Sequence, residues 1–473
     1  MEDPVSSALL AAAGLLLALW WLLGRRRRPL QGLPPGPKPW PLVGNFAFAL
    51  LPNPLVRKRL LNMDRQKQLP KGEGGAGREQ QPLQQNPPHL LLTALAKIYG
   101  SIFSLFVGSR PLIMLSDFEA VRDALVNQAE VFSDRPSIPI VALLSKRKGV
   151  VFAPYGPVWK KQRKFSHSTL RHFGLGKHSL EPKIIEEFKY VKAEILKHGD
   201  EKFNPFPIIG NAVSNVICSM ALGRRFDYDD ASLKTMLKLM SRGLELSLNS
   251  HMILVNICPW LYYLPIYPFR VLRQIELDIT AFLKTIIAQH RESLDSQNPR
   301  DFIDMYLLHA DEERKIDSES SFTEDYLFFI IADLFIAGTD TTSNTLLWSL
   351  LYMSLHPQEQ KKVQEEIDLV IGRNRPPTLV DKARMPFTEA TIMEVQRMTV
   401  VVPLSIPRMA SETTGKRVCM GEQLAKMELF LMFVSLLQNF TFQFPEDMEK
   451  PSMAGRFGLT LAPLPFNIIA LKR

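Results

Sequence analysis

Cysteine is scarce in this chain. Cys218, Cys258 and Cys419 are the only three among 473 residues. So odd and sparse a set excludes a disulfide framework and fits a reducing compartment. No two of them stand in CxxC spacing, which removes the usual cysteine-based structural zinc site. Nucleic-acid modules are missing as well, with neither zinc-finger spacing nor an RNA-binding aromatic signature. No repeat of roughly 20–50 residues is present. Hydrophobic residues make up 46% and charged residues 22%, which excludes disorder along the whole chain. The formal charge of +9 therefore points to an anionic membrane surface or an acidic protein, not to nucleic acid.

One apolar run is long. Residues 5–24, VSSALLAAAGLLLALWWLLG, carry no charge over about the length that crosses a bilayer. Glu2 and Asp3 precede the run, and Arg25, Arg26, Arg27 and Arg28 follow it. The positive-inside rule then places the rest of the chain in the cytosol. A cleaved signal peptide is the rival, but no basic n-region precedes the run and four arginines occupy the cleavage position. The expectation is a single-pass signal anchor over 1–28, with Trp20 and Trp21 near its cytosolic end. Residues 29–45 read as a hinge stiffened by Pro34, Pro35, Pro37, Pro39 and Pro41. Residues 46–473 form one domain, in which 63–88, rich in Gln, Gly and Pro, is a disordered loop. Gly72, Gly74 and Gly77 fall there in GxGxxG spacing, a chance match without a flanking strand and helix. NFT at 439–441 fits a glycosylation pattern that a cytosolic location discounts.

The fold class is mainly α with a minor β part. A hairpin is expected in 101–117, turning at Gly108–Pro111. Helical periodicity runs over 118–127, 157–172, 181–197, 207–222, 270–294, 323–355, 357–371, 386–399 and 421–438. Ser321 and Thr323 are the expected caps of the helix that follows them, with Glu324 and Asp325 in its first turn. The apolar stretch 252–269 contains Pro259, Pro265 and Pro268, so it reads as core or as a surface dipping into a membrane rather than a second span.

Four motifs carry chemistry. In GKRVCMGEQLAKMELF (415–430), Cys419 precedes an amphipathic helix whose free N–H groups, with Arg417, favour a thiolate. Such a thiolate suits a soft metal ligand or a nucleophile, and a buried inert cysteine is the bland alternative. In AGTDTT (337–342), a buried Asp340 needs a partner, and Thr341 can hydrogen-bond backwards and open the helix locally. Its bland alternative is a kinked core helix. Glu394 and Arg397 form an ExxR pair one turn apart, and Trp159 and Arg163 share a helix face. Either pair is weak by itself.

In this order the four motifs resemble the cytochrome P-450 superfamily, and the likeness runs over nearly everything after residue 32. FSHSTLRHFGLGK (165–177) and NICPWLYYLP (256–265) resemble family 2, subfamily U, the long-chain fatty-acid hydroxylases. The resemblance implies the cytochrome P-450 fold, haem b (iron protoporphyrin IX), and hydroxylation of a lipophilic substrate such as arachidonic acid. It also implies O2 and electrons from NADPH through NADPH-cytochrome P-450 reductase, with cytochrome b5 as a further donor. Cys419 would be the axial iron ligand. Asp340 and Thr341 would deliver protons, and Gly338 would make room for oxygen. Trp159, Arg163, Arg408 and Arg417 would contact the haem propionates, and Glu394 with Arg397 would be structural. Basic residues at 160, 161, 163, 164, 416, 417 and 426 would face an acidic reductase. The implied location is the endoplasmic reticulum membrane, with a secondary mitochondrial pool. Two other readings stay open: a haem-deficient, catalytically inactive membrane isoform, and a membrane-anchored cysteine hydrolase.

The chain departs from the family's FxxGxRxCxG loop pattern. Gly415, Arg417, Cys419 and Gly421 match, but Glu412 holds the aromatic position. The interval between Arg397 and Cys419 is also several tens of residues short. An internal deletion near 414–415 is expected, with Glu394 and Arg397 left as buried charges without partners.

Overall fold

The computed structural model describes residues 32–39, 44–45, 88–247, 252, 255–256, 258–410 and 417–473. The expected anchor, and nearly all of the expected loop at 63–88, lie outside them. No helix among the described residues is long and apolar enough to cross a membrane. The chain divides into two compact units, Met1–Ala129 with Ile253–Pro259, and Glu130–Met252 with Trp260–Arg473.

In the first unit, helix α1 (Pro88–Tyr99) packs on a hairpin of β1 (Ile102–Val107) and β2 (Arg110–Leu115), and Leu95, Phe103 and Leu105 form the core. Helix α2 (Phe118–Arg122) follows, capped by Asp117, whose side chain accepts from Ala120 N. The proline-rich stretch does not stand free. Ser104 donates through its N–H to Pro35 O and through its hydroxyl to Pro34 O, both at 2.8 Å. Asn45 donates from its N–H to Phe106 O and accepts from Phe106 N, both at 2.7 Å. Gly36 and Gly44 permit this approach, because a Cβ at either would lie 2.0 or 2.2 Å from a β1 carbonyl oxygen.

The second unit is helical. Its elements are α3 (Pro139–Ser145), α4 (Pro157–His172), α5 (Glu181–Leu196), α6 (Phe206–Ala221), α7 (Ala231–Ser247), α8 (Phe269–Glu292), α9 (Phe302–Ile316), α10 (Glu324–Leu355), α11 (Pro357–Val370), α12 (Pro386–Met398) and α13 (Glu422–Asn439). Strand β3 (Phe440–Gln443) pairs with β6 (Ile469–Lys472), and β4 (Arg456–Phe457) with β5 (Leu461–Ala462), all antiparallel. α10 is the centre of this unit. Thr323 caps it by accepting from Tyr326 N at 3.2 Å, and Glu324 and Asp325 sit in its first turn. Ser321 takes no part in that cap; its carbonyl accepts from Gln162 Nε2 at 2.9 Å. From Thr342 to Leu351 every residue of α10 is buried, and so is every residue of α13 from Met427 to Gln438. α13 is thus a core helix rather than the amphipathic one expected after Cys419.

Candidate active site

The cysteine loop is built against α4. Pro157 opens α4 in its first turn, and Trp159, Gln162, Ser166, Thr169 and Leu170 bury one face at helical spacing. The Trp159 indole N–H donates to Val150 O at 2.9 Å. One turn on, Arg163 donates to Val418 O, which ties α4 to the loop. The guanidiniums of Arg163 and Arg417 lie 5.3 and 4.2 Å from the Trp159 ring centre. Cys419 is exposed, in a cavity of about 520 Å³ that Tyr155, Trp159, Lys160, Arg163 and His167 also line. His167 makes no hydrogen bond with the thiol among the described residues, so the base that a cysteine hydrolase needs is not in place.

Behind this cavity arginines converge. Arg417 is buried and donates to the carbonyls of Ser133, Val150, Val151 and Ala153 at 2.8, 3.2, 3.4 and 2.6 Å. Arg135, also buried, donates to Val151 O at 2.8 Å and to Ile406 and Pro407 O at 3.2 and 2.9 Å. A backbone bridge between Asp134 and Met409 brings Arg408 alongside. Arg408 reaches Phe132 O at 3.4 Å, while its buried Nε has no partner among the described residues. None of these three, nor Arg163, forms an ion pair with a carboxylate among the described residues. Burial, then the neighbouring Arg417 and Arg408, push Arg135 down to about 9. Burial pushes Arg417 down to about 10. Like charges gathered out of water are costly unless an anion joins them. Arg135 was not among the residues expected from sequence; it follows Asp134 in VFSDRPSIP, a segment that carries none of the four motifs.

α10 adjoins this platform through Asp333, whose carboxylate accepts from Val150 N and Val151 N at 2.7 and 2.9 Å. Burial raises its pKa to about 6. Asp333, Ala337 and Thr341 stand at i, i+4 and i+8, one face of the helix. Ala337 is exposed in mid-helix, and the Thr341 hydroxyl donates to Ala337 O at 2.6 Å. α10 runs without interruption through this bond, so the expected local opening does not occur. At Gly338 a Cβ would lie 2.5 Å from Ile217 Cδ1 of α6, so the glycine permits the close approach of a neighbouring helix. Asp340 turns toward the β4–β5 turn, where its carboxylate accepts from the Thr460 hydroxyl. Burial raises its pKa.

Two further expectations are corrected. Glu394 and Arg397 are not buried. They pair bidentately at 2.7 Å with side chains 57% and 68% exposed, beside exposed Met393, Met398 and Val400. Nor is the basic face as broad as expected. Arg417 is buried and Lys426 is neutralised by Glu422 at 2.7 Å, while Lys416 lies outside the described residues. Lys160, Lys161 and Lys164 remain exposed on α4.

A family model described as Cytochrome P450 matches residues 77–414 and 413–470. The chain belongs to the cytochrome P450 family. It is similar to human "Cytochrome P450 2U1", 58% identical over 527 aligned positions that take in 100% of this chain and 94% of that protein. A bovine protein of the same name is 56% identical over 532 positions, covering 100% and 94%. "Cytochrome P450 2D6" of Pan troglodytes is 36% identical over 509 positions, covering 95% of each. Likeness at this level puts the chain in subfamily U of family 2, among the cytochrome P450 monooxygenases. The 527 positions less the 473 residues of this chain leave about 54 positions of the human alignment with no residue here.

The cofactor of a cytochrome P450 is haem, and the residues fit it. Beside an accessible thiol they set a cluster of guanidiniums with no carboxylate at ion-pair distance, and a buried donor, Arg408 Nε, with no partner, among the described residues. That is the donor set for a group with a soft metal at its centre and two carboxylates at its edge.

Proposed function

We propose that this cytochrome P450 is a membrane-bound monooxygenase that hydroxylates long-chain fatty acids such as arachidonic acid. The electrons come from NADPH through NADPH-cytochrome P-450 reductase, with cytochrome b5 as a second donor. Haem bound through a cysteine thiolate supplies the dioxygen-activating chemistry. Cys419 ligates the iron. Arg135, Arg163, Arg408 and Arg417, with Trp159, hold the propionates and neutralise their charge. Thr341 presents a hydroxyl on the uncovered face of α10, and Asp340 supplies protons to it. Lys160, Lys161 and Lys164, all exposed on α4, offer cations to an acidic reductase. Trp260, Tyr263, Ile266 and Tyr267 are exposed together, an aromatic and apolar patch suited to a bilayer interface beside a lipophilic entrance. The endoplasmic reticulum membrane, with 1–28 as anchor, a cytosolic catalytic domain and a secondary mitochondrial pool, completes this reading. The observation that carries it is the guanidinium cluster, without ion-paired carboxylates among the described residues, set against Cys419.

A second reading, a haem-poor and inactive form, is favoured by the exposed Glu394–Arg397 pair. In that reading the chain lacks the segment that covers α12, at the point where the family match divides. A reduced carbon-monoxide difference spectrum separates the two. The first expects a red-shifted Soret band that disappears in Cys419→Ala. Absence of the band from membrane-integrated protein establishes the second.

A further inference from the structure

The β4–β5 turn reaches into the middle of α10, and the described activity does not account for it. Thr460 is buried in that turn. Its hydroxyl donates to Asp340 Oδ2, and its oxygen accepts from Asn344 Nδ2 at 3.0 Å. Asp340 and Asn344 stand at i and i+4 on α10, so a single hydroxyl clips both side chains to one place. The turn is itself held at three points. Gly458 N donates to Thr460 O at 2.9 Å, Trp348 Nε1 donates to Leu461 O at 2.9 Å, and Leu461 N donates to Val401 O at 2.7 Å. The last bond joins the turn to the strap just after α12. Asp340 follows Ala337 by three residues and precedes Thr341 by one, so its carboxyl, fastened to Thr460, lies to the side of the open Ala337–Thr341 face.

We propose that Thr460 is a positioning residue that holds the Asp340 carboxyl in a parked orientation and controls its release toward Thr341. This rests on the reading of Asp340 as the proton donor. The chemistry is that of an acceptor bond: a hydroxyl donating to a carboxylate favours the ionised form, opposing the burial that disfavours it. Arg456 of β4 is the charged group bearing on Asp340 among the described residues, and it acts in the same direction as Thr460. Because Leu461 is tied to Val401, displacement of the strap after α12 moves the clip.

The test uses the full chain in a detergent micelle or nanodisc and follows the carboxyl stretch by infrared difference spectroscopy against pH. The Asp340 band is identified by its loss in Asp340→Asn. In Thr460→Val, which keeps the volume and removes the hydroxyl, the titration midpoint moves upward by about one pH unit. Thr460→Ser restores it. In haem-loaded protein the pH profile of peroxide release per NADPH oxidised moves with the midpoint. An unmoved band and an unmoved profile in Thr460→Val overturn the proposal. A moved band with a peroxide profile indifferent to Asp340→Asn supports the clip and removes Asp340 from proton delivery, so the two failures are distinct.

Discussion

On the second reading, a chain extended between Thr414 and Gly415, where the family match divides, by a segment of the human relative's sequence rises in haem content from well below one per chain to nearly one. The reason lies on α12. Met393, Met398 and Val400 are 58%, 54% and 50% exposed, beside the Glu394–Arg397 pair. Covering the exposed half of three such side chains is worth roughly 2–4 kcal/mol. The same cover takes the ion pair out of water, where its geometry begins to matter. Glu394→Ala separates the two situations. In the present chain this pair is solvated, and its loss leaves the melting temperature unchanged. In the extended chain it strands Arg397 under a lid, and both haem content and melting temperature fall. Pyridine haemochrome assay and thermal scans on the four proteins read the outcome. Equal haem in both backbones, with Glu394→Ala silent in both, would sink the idea that α12 has lost its cover.

The elements legible in sequence were those whose local signals agree. α10 announces itself by a threonine cap, two acids in its first turn and a long apolar run, and α4 by a proline at its start. α7 and α9 escaped because their apolar positions are interleaved with charge. α9 ends in DEERK, which reads as solvated chain until Phe302, Tyr306 and Leu307 are seen buried. The site divides along similar lines. Cys419, Trp159 and Arg163 are motif residues, and they share one cavity. Arg135 is not a motif residue. Its place arises only when the segments around 132–135, 150–153, 406–409 and 417 converge, at separations no periodicity spans. Gly338 shows the limit of the motif, because a mid-helix glycine admits either a ligand or a neighbouring helix, and the closeness of Ile217 to it is not legible in sequence.

Replacing Glu428 by methionine stabilises the protein by about 1–3 kcal/mol at neutral pH. Glu428 sits on α13 with none of its side chain exposed, and neither carboxyl oxygen has a hydrogen-bond partner among the described residues. Burial, then the nearby Glu187, raise its pKa well above the ordinary carboxylate range. Glu187 is differently placed, since Asn215, Tyr228 and Arg225 all donate to it. The pH dependence follows from the sign of the shift. In acid both folded and unfolded chains carry Glu428 protonated, and titration costs nothing. As pH rises through the ordinary range the unfolded chain releases a proton that the folded chain keeps, so stability falls until the folded value is passed. Glu428→Gln retains the polar burial but removes the titration, so it equals the parent in acid and exceeds it at neutral pH. Glu428→Met removes both penalties and leads at either pH. Denaturant midpoints at acid and neutral pH, on the three chains side by side, resolve the two contributions. If the parent proves the most stable of the three at neutral pH, Glu428 is ionised and paired in solution, and its place in the α13 core requires a cationic or hydrogen-bond-donating partner.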